Sequence, residues 1–551
     1  MNNKKLELTW YGKDKKINLE PRILIEDKKL SNVVNGETEN MLIHGDNLLV
    51  LKALEQYFAG KIKCIYIDPP FNTGAAFEHY DDNLEHSIWL DLMYRRLIIL
   101  HKLLTDDGVL LIQIDDNEMP YLRVVLDEIF GRGRFVAQIN VKSNNLSGTK
   151  TAHKEKTVLR NKDNIIIYKK KDEIKIIPQY VERTRWDTHY NMFAVFENDK
   201  LIGFEKFKNV LIKRGIIGKT ETIKEEILKN DIFYKFIIEN KDKICRLVNS
   251  MPADMRKESK EKPNTIIQYL DDNGKTRYAY NGNRVSFLES SILNIDGEEK
   301  FVQLLGDLWV DIDFQNTQNE GGVSFPASKK PEALIRRILN MFTVEGDIVL
   351  DSFLGSGTTA SVAHKMKRKW IGIEMGDHAY THCKTRIDNI ISGKDNSGIT
   401  RAVSWQGGGG YKFYELAPTL IEEDAFGQKI INPSYNATML ASAIAKHEGY
   451  NYNPDGNCYW KQSKNNNSFL YVTTQHITSS VIESIKTELK DDEFLLVVCK
   501  SFDSNCNLGN KNINIKKIPQ SLLKNCEFGV DNYNLNIINS PVYEEEEEED
   551  E

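Results

Sequence analysis

The 551-residue sequence has no run near the roughly 18 apolar residues needed to span a bilayer. Its opening, MNNKKLELTW, lacks the apolar core of a secretion signal. Seven cysteines, at positions 64, 245, 383, 458, 499, 506 and 526, form no C-x-x-C pair, so neither a zinc site nor a disulfide framework is expected. These absences favour a reducing cytoplasm. There is no G-x-x-x-x-G-K-S/T and no recognisable nuclease motif, so ATP-driven translocation or cleavage would need a separate subunit. No internal repeat of solenoid length is present.

What is present is 40% hydrophobic and 28% charged residues, the composition of a globular chain long enough for three or four domains. The formal charge of −7 is misleading, because the last eight residues are all acidic and without them the balance is +1. Residues 141–270 hold 28 Lys/Arg against 18 Asp/Glu. A basic block of this kind suits a polyanion, since Lys and Arg neutralise phosphates and release counterions. A solvated lysine-rich surface reads the same way on charge alone.

Strand and helix patterns alternate over 41–140 and again over 326–406, which predicts one parallel sheet with helices on both faces. Between them, 141–325 is irregular and basic and reads as an insertion. Residues 1–40 read as an N-terminal extension and Gly407 to Gly410 as a flexible joint. A C-terminal module is expected over 411–543, with strand-like Phe494 to Cys499, followed by a solvated acidic tail over 544–551.

Three local patterns carry chemistry. Asp68-Pro69-Pro70-Phe71 follows the short apolar run KCIYI, so it lies at the carboxyl end of a strand, where open α/β sheets bind ligands. It offers a carboxylate, carbonyls without competing N–H donors and a ring to stack on a planar base. Asp351-Ser352-Phe353-Leu354-Gly355-Ser356-Gly357-Thr358 joins the strand DIVLD to a helix, and Glu374 ends the next strand, WIGIEM. Such a loop lets backbone approach a ligand, and an acidic residue at that strand end can accept both ribose hydroxyls. No Lys or Arg lies in the loop to meet a pyrophosphate, which points to an adenosyl ligand without phosphates. Gly45-Asp46-Asn47 reads as a turn and helix cap that could place Asp46 near that ligand's adenine.

Together these residues resemble the amino-methyltransferases of DNA, in the permuted order called the beta class, where the catalytic motif precedes and the cofactor motif follows the target-recognition region. The resemblance covers roughly residues 40–145 and 325–420. Gly45-Asp46-Asn47-x-x-x-Leu51, Ile67-Asp68-Pro69-Pro70-Phe71-Asn72-Thr73-Gly74, Lys330-Pro331 and Tyr411-x-Phe413-Tyr414-Glu415-Leu416 are similar to the modification subunits of type III restriction systems. It implies a Rossmann-like S-adenosylmethionine-dependent sheet with an inserted target-recognition domain and a C-terminal α+β module. It also implies adenine-N6 methylation of double-stranded DNA with the base flipped out, a homodimer and a restriction (helicase/nuclease) subunit as partners. Asp68, Pro69, Pro70 and Phe71 would be catalytic. Asp46, Lys330, Asp351, Phe353, Gly355, Gly357, Thr358 and Glu374 would hold the cofactor. Asn72, Lys142, Arg183, Arg185, Trp186 and Tyr190 are the candidates for DNA contact. Phe71 stands where Tyr is commoner, and Val141 where relatives often carry Trp. Methylation of RNA, methylation of a protein glutamine and a catalytically silent DNA-recognition subunit are the alternative readings.

Overall fold

A computed structural model describes residues 7–15, 18–33, 36–71, 86–144, 155, 158–171, 173–295, 297–315, 317–325, 328–424, 426–507 and 511–518. Asn72, Thr73, Gly74 and the acidic tail lie outside the described residues. The chain forms two compact units, Met1–Ile177 with Asp307–Glu551, and Pro178–Gly306.

The first unit carries a ten-stranded sheet. Its strands are β1 (Leu24–Val33), β2 (Met41–His44), β3 (Ile62–Ile67), β4 (Leu104–Ile114), β5 (Phe135–Lys142), β6 (Lys162–Lys169), β7 (Leu308–Trp309), β8 (Ile348–Asp351), β9 (Lys369–Glu374) and β10 (Gly410–Leu416). They lie in the order β1-β10-β2-β9-β8-β3-β4-β6-β5-β7. From β10 to β4 every pairing is parallel. The interior strands are correspondingly apolar: β3 is buried at every residue but Lys63, as a strand covered on both faces must be.

The chain leaves β3 through helix α2 (His86–Leu103) toward β4, and leaves β8 through α5 (Thr358–Lys365) toward β9, in the opposite direction. Right-handed crossovers therefore put α2 and α5 on opposite faces. The β3/β8 pair is the switch point of the sheet, and a crevice opens outside its carboxyl ends. Ile65, Ile67 and Leu350 join one core cluster with α1 (Asn47–Phe58), α2 and α3 (Met119–Leu126). Side-chain alternation sends Tyr66 to the other face and, one step on, Asp68 and Asp351 with it.

Three boundaries differ from those expected from sequence. β1 pairs with β10 at the edge of the sheet, so residues 24–33 belong to the core rather than to an extension. β10 follows Gly407–Gly409 directly, so 410–416 also belong to the sheet and not to the C-terminal module. The insertion is Pro178–Gly306 rather than 141–325, because β5, β6 and β7 complete the central sheet. Within that unit a six-stranded and a three-stranded antiparallel sheet enclose an aromatic core of Trp186, Tyr190, Phe207, Phe233 and Phe301. After β10 the chain forms a five-stranded sheet that includes Ser468–Ile477 and Phe494–Phe502, flanked by helices Ala437–His447 and Ser479–Glu488. No helix among the described residues is long and apolar enough to cross a membrane.

Helix α4 (Glu332–Phe342) buries Leu334, Ile335, Ile338, Leu339 and Phe342, one stripe of a 3.6-residue repeat. It packs on α5, which in turn packs on α6 (Thr385–Ile391). At their junction Glu332 bonds Lys365 at 2.7 Å and Arg386 at 2.8 Å, and Lys365 meets Asp395 at 2.6 Å. All four side chains are almost fully buried. Removing the central carboxylate takes from the buried Arg386 its ion-pair partner and leaves Lys365 with Asp395 alone. Glu332→Ala is expected to lower the unfolding free energy by about 3–5 kcal/mol, read from the urea midpoint at unchanged slope.

Candidate active site

Asp68 emerges from β3 beside the loop that follows β8. Its Oδ2 accepts from the Lys330 ammonium at 2.6 Å, while Oδ1 is shielded from solvent and has no hydrogen-bond partner among the described residues. Burial pushes the Asp68 carboxyl above its usual range against the opposing pull of Lys330, and the charge of Asp163 adds to the rise. The Phe71 ring packs on the core, with the Lys330 ammonium 5.2 Å from its centre. The Trp89 indole N–H, from the buried face of α2, donates to the Pro70 carbonyl at 2.7 Å. That bond pins the di-proline turn, whose prolines are both buried.

A hydrogen-bonded chain runs along the carboxyl edge from here. Tyr66 Oη donates to Gln113 Oε1 at 2.6 Å, Gln113 Nε2 to Asp163 Oδ2 at 2.6 Å, and Ser143 Oγ to Asp163 Oδ1 at 2.7 Å. It crosses β3, β4 and β6 to the end of β5, where Lys142 is half-buried.

The loop after β8 is fixed from every side. Asp351 accepts from Phe353 N at 2.9 Å and Thr359 Oγ1 at 2.6 Å. Gly355 and Gly357 have φ of +56° and +80°, the left-handed region that glycine enters without a Cβ penalty. A Cβ on Gly357 would stand 3.3 Å from Cys383 Cα, so the loop lies directly against the neighbouring helix. Glu374 accepts from Gly355 N at 2.8 Å through Oε2 and from Gly376 N at 3.0 Å through Oε1, which aims the carboxylate at the loop. Thr358 Oγ1 donates to the Lys330 carbonyl at 3.3 Å and accepts from Arg386 at 2.8 Å.

One pocket is bordered by Asp68, Lys330, Asp351, Phe353, Gly355 and Thr358, so the Asp-Pro-Pro motif and the glycine loop share a cavity. Phe325, which no sequence pattern singled out, also lines it. Asp46 is more committed than expected. Oδ1 caps Leu49 N at 3.0 Å, and Oδ2 lies 3.3 Å from the buried Arg96. Arg96 also bonds Asn47 Oδ1 at 2.5 Å, and Asn47 Nδ2 donates to the Ser352 carbonyl at 2.7 Å. The Gly45-Asp46-Asn47 turn thereby braces the glycine loop.

The DNA-contact candidates of the insertion divide. Trp186 and Tyr190 are 2% and 1% exposed and form the aromatic centre of that unit, so they are packing residues and not the groove contacts the sequence suggested. Arg183 lies 3.8 Å from Asp187 and over the Phe301 ring, whereas Arg185 is largely exposed with Glu225 at 3.3 Å. Val141 is fully buried in β5 and offers no surface to a base.

The pairing of this pocket with this strand order places the chain in a class. A family model described as DNA methylase, for N6 and N4 methyltransferases, matches residues 62–214 and 202–385, more than half of the chain, and the chain belongs to that family. Over 411 residues it is 36% identical to the "Probable type III restriction-modification enzyme HindVI Mod subunit" of Haemophilus influenzae, covering 69% of this chain and 54% of that one. It is 26% identical over 404 residues to the type III restriction-modification enzyme StyLTI Mod subunit of Salmonella typhimurium, covering 65% of this chain and 54% of that one. To the EcoP15I Mod subunit of Escherichia coli it is 26% identical over 524 residues, covering 80% and 77%. The chain thus spans about half the length of the first two relatives.

The Asp351 carboxyl is pushed up to about 7, first by burial and further by the charges of Asp68 and Glu374. A carboxyl raised in the folded state stabilises the fold below its unfolded value, and that stability is lost as pH rises through the folded value. Between about pH 4 and pH 7 the wild type is expected to lose stability relative to Asp351→Asn, read as the difference in urea midpoints across that range.

Proposed function

We propose that this chain transfers a methyl group from S-adenosylmethionine to the N6 amine of a flipped-out adenine in double-stranded DNA, as the modification subunit of a type III restriction-modification system. The observation that carries the reading is the shielded Oδ1 of Asp68, unpartnered among the described residues, in the same pocket as the glycine loop. The pocket suits the cofactor. Two left-handed glycines open the loop, no cation within it calls for a phosphate, and the Glu374 carboxylate at the end of the neighbouring strand is aimed at the loop. Phe353, Gly355, Gly357 and Thr358 would hold the methionine end, and Glu374 the ribose. Bound there, S-adenosylmethionine supplies a methyl group activated by its sulfonium.

A base inside a duplex cannot reach such a crevice, so the target must leave the stack. Phe71 stacks on it. Asp68 and the Pro69 carbonyl accept its two N–H bonds, which directs the nitrogen lone pair at the methyl carbon. As the N–C bond forms and the S–C bond breaks, the nitrogen must lose one proton. Asp68 is the acceptor, its basicity already raised by burial. Asp at this position favours adenine, and the exposed Arg185 of the insertion would supply a phosphate contact. Asn72 and Lys142 would touch the DNA near the catalytic motif. A second copy of the chain and a restriction subunit complete the assembly, which works in the bacterial cytoplasm on nucleoid DNA.

Expressed in a methylation-free bacterial host, the wild-type chain is expected to place N6-methyladenine at one short motif, detected by single-molecule sequencing. Asp68→Ala is expected to leave none while still binding the cofactor. Full modification by the variant contradicts the site. No modified base with either chain contradicts the DNA reading and favours RNA or a protein glutamine as substrate.

A further inference from the structure

Gln113 is the one polar side chain in the apolar run of β4, GVLLIQI, and it is fully buried. The parallel register of β3 and β4 sets Tyr66 beside Leu111 and Ile67 beside Ile112, which carries Asp68, one step on, to the level of Gln113. The antiparallel register of β4 and β6 sets Gln113 opposite Ile165, two residues from Asp163. Side-chain alternation therefore turns Tyr66, Asp68, Gln113 and Asp163 to one face of the sheet at its carboxyl edge. The strand that carries the amide lies between those of the two carboxylates. Gln113 Nε2 donates to Asp163 Oδ2 at 2.6 Å, and its Oε1 accepts from Tyr66, which borders the pocket of Asp68.

A glutamine in a covered strand is costly unless both ends of its amide are bonded. Here the bonds tie Asp163 to the wall of the active pocket. Asp163 also accepts from Ser143 Oγ at 2.7 Å and has no ion-pair partner among the described residues. Its charge is held in place by hydrogen bonds and is not neutralised. The groups that face Asp68 are Lys330 from the head of α4, Tyr66 from β3, Asp351 from β8 and Asp163 from β6. Burial raises the Asp68 carboxyl most, Lys330 opposes the rise, and Asp163 adds to it. A carboxylate that must take a proton from nitrogen is helped by a nearby negative charge that no cation cancels.

We propose that Asp163 is a second carboxylate of the transfer, a positioning residue held by Gln113 and Ser143 whose negative charge, set against Lys330, lets Asp68 take the proton of the target amine. In that step the amine lone pair forms the N–C bond, the electron pair of the S–C bond stays on sulfur, and one proton of the amine passes to Asp68. The inference rests on the reading of Asp68 as proton acceptor given above. It accounts for a polar chain through the covered middle of the sheet. It also explains how a carboxylate with a cation at one oxygen can still act as a base.

The test is the single-turnover methylation rate of the full chain against pH, at saturating S-adenosylmethionine, on a duplex carrying the motif found by sequencing. The acid limb reports groups that titrate in the complex. Lys330, Tyr66 and Asp351 are common to wild type and variants, so the difference between the limbs isolates Asp163. In Asp163→Asn, which keeps the shape and loses the charge, the limb should move down by about half a unit to one unit. The plateau rate should fall about two- to fivefold, with DNA affinity unchanged. Ser143→Ala removes a bond to Asp163 but no charge, and its limb should stay at the wild-type position. Asp163→Ser repeats the comparison if the Asn variant does not fold. A limb unmoved in Asp163→Asn, or moved as far in Ser143→Ala, overturns the role of the charge and leaves the methyl-transfer reading standing. A wild type that transfers no methyl group to DNA overturns both.

Discussion

The pairing of Cys64 with Val349 and Ile65 with Leu350 joins segments remote in sequence, and the chemistry of the molecule depends on it. Once β3 and β8 lie side by side and parallel, Asp68 and Asp351 leave the same edge of the sheet on the same face. The crossovers that follow run to opposite sides and leave a crevice between them. Two carboxyls are thereby gathered in a shielded place, where neither ionises as readily as it would in water. Lys330 offsets part of that cost for Asp68, and hydrogen bonds from Phe353 and Thr359 do the same for Asp351.

Around this pair the structure separates rigid support from adjustable contact. The glycine loop is held below by Arg386, which links Thr358 to the buried Glu332–Lys365 cluster. It is held at its start by Asn47, which ties the N-terminal half of the sheet to Ser352. Trp89 fixes the di-proline turn from α2. These buried and mutually satisfied bonds suit a site whose catalysis is chiefly positioning. Against them, Asp68 keeps one carboxylate oxygen, Oδ1, without a hydrogen-bond partner among the described residues.

The parts of this arrangement that local sequence determines were legible. The strand endings at Asp68 and Glu374, the glycine turn and the stripe of α4 each follow from short patterns whose physics needs no distant partner. The remainder depended on contacts across the fold. Lys330 could be read as part of a cofactor motif, but its pairing with Asp68 required the β3/β8 neighbourhood. Arg96, Arg386 and Lys365 look like ordinary surface charges until their helices are packed. Trp186 and Tyr190 misled because aromatic residues in a basic segment serve equally as a core or as an interface, and composition does not separate the two. β1, with the sequence LIEDKKLSNV, shows little apolar alternation because it is an edge strand with one neighbour, so it read as an extension.

The central claim is that Asp68 and the glycine loop serve one reaction in one crevice. The direct measurement is a crystal structure of the chain with sinefungin, in which an amine replaces the transferable methyl group. The account predicts the ribose on Glu374 and the amino-acid end along Phe353–Thr358. The replacing amine should point to the Asp68 side of the pocket, leaving room for a target nitrogen at the separation of about 3–3.5 Å that transfer requires. Density for the ligand outside this crevice, or with its amine directed away from Asp68, would contradict it.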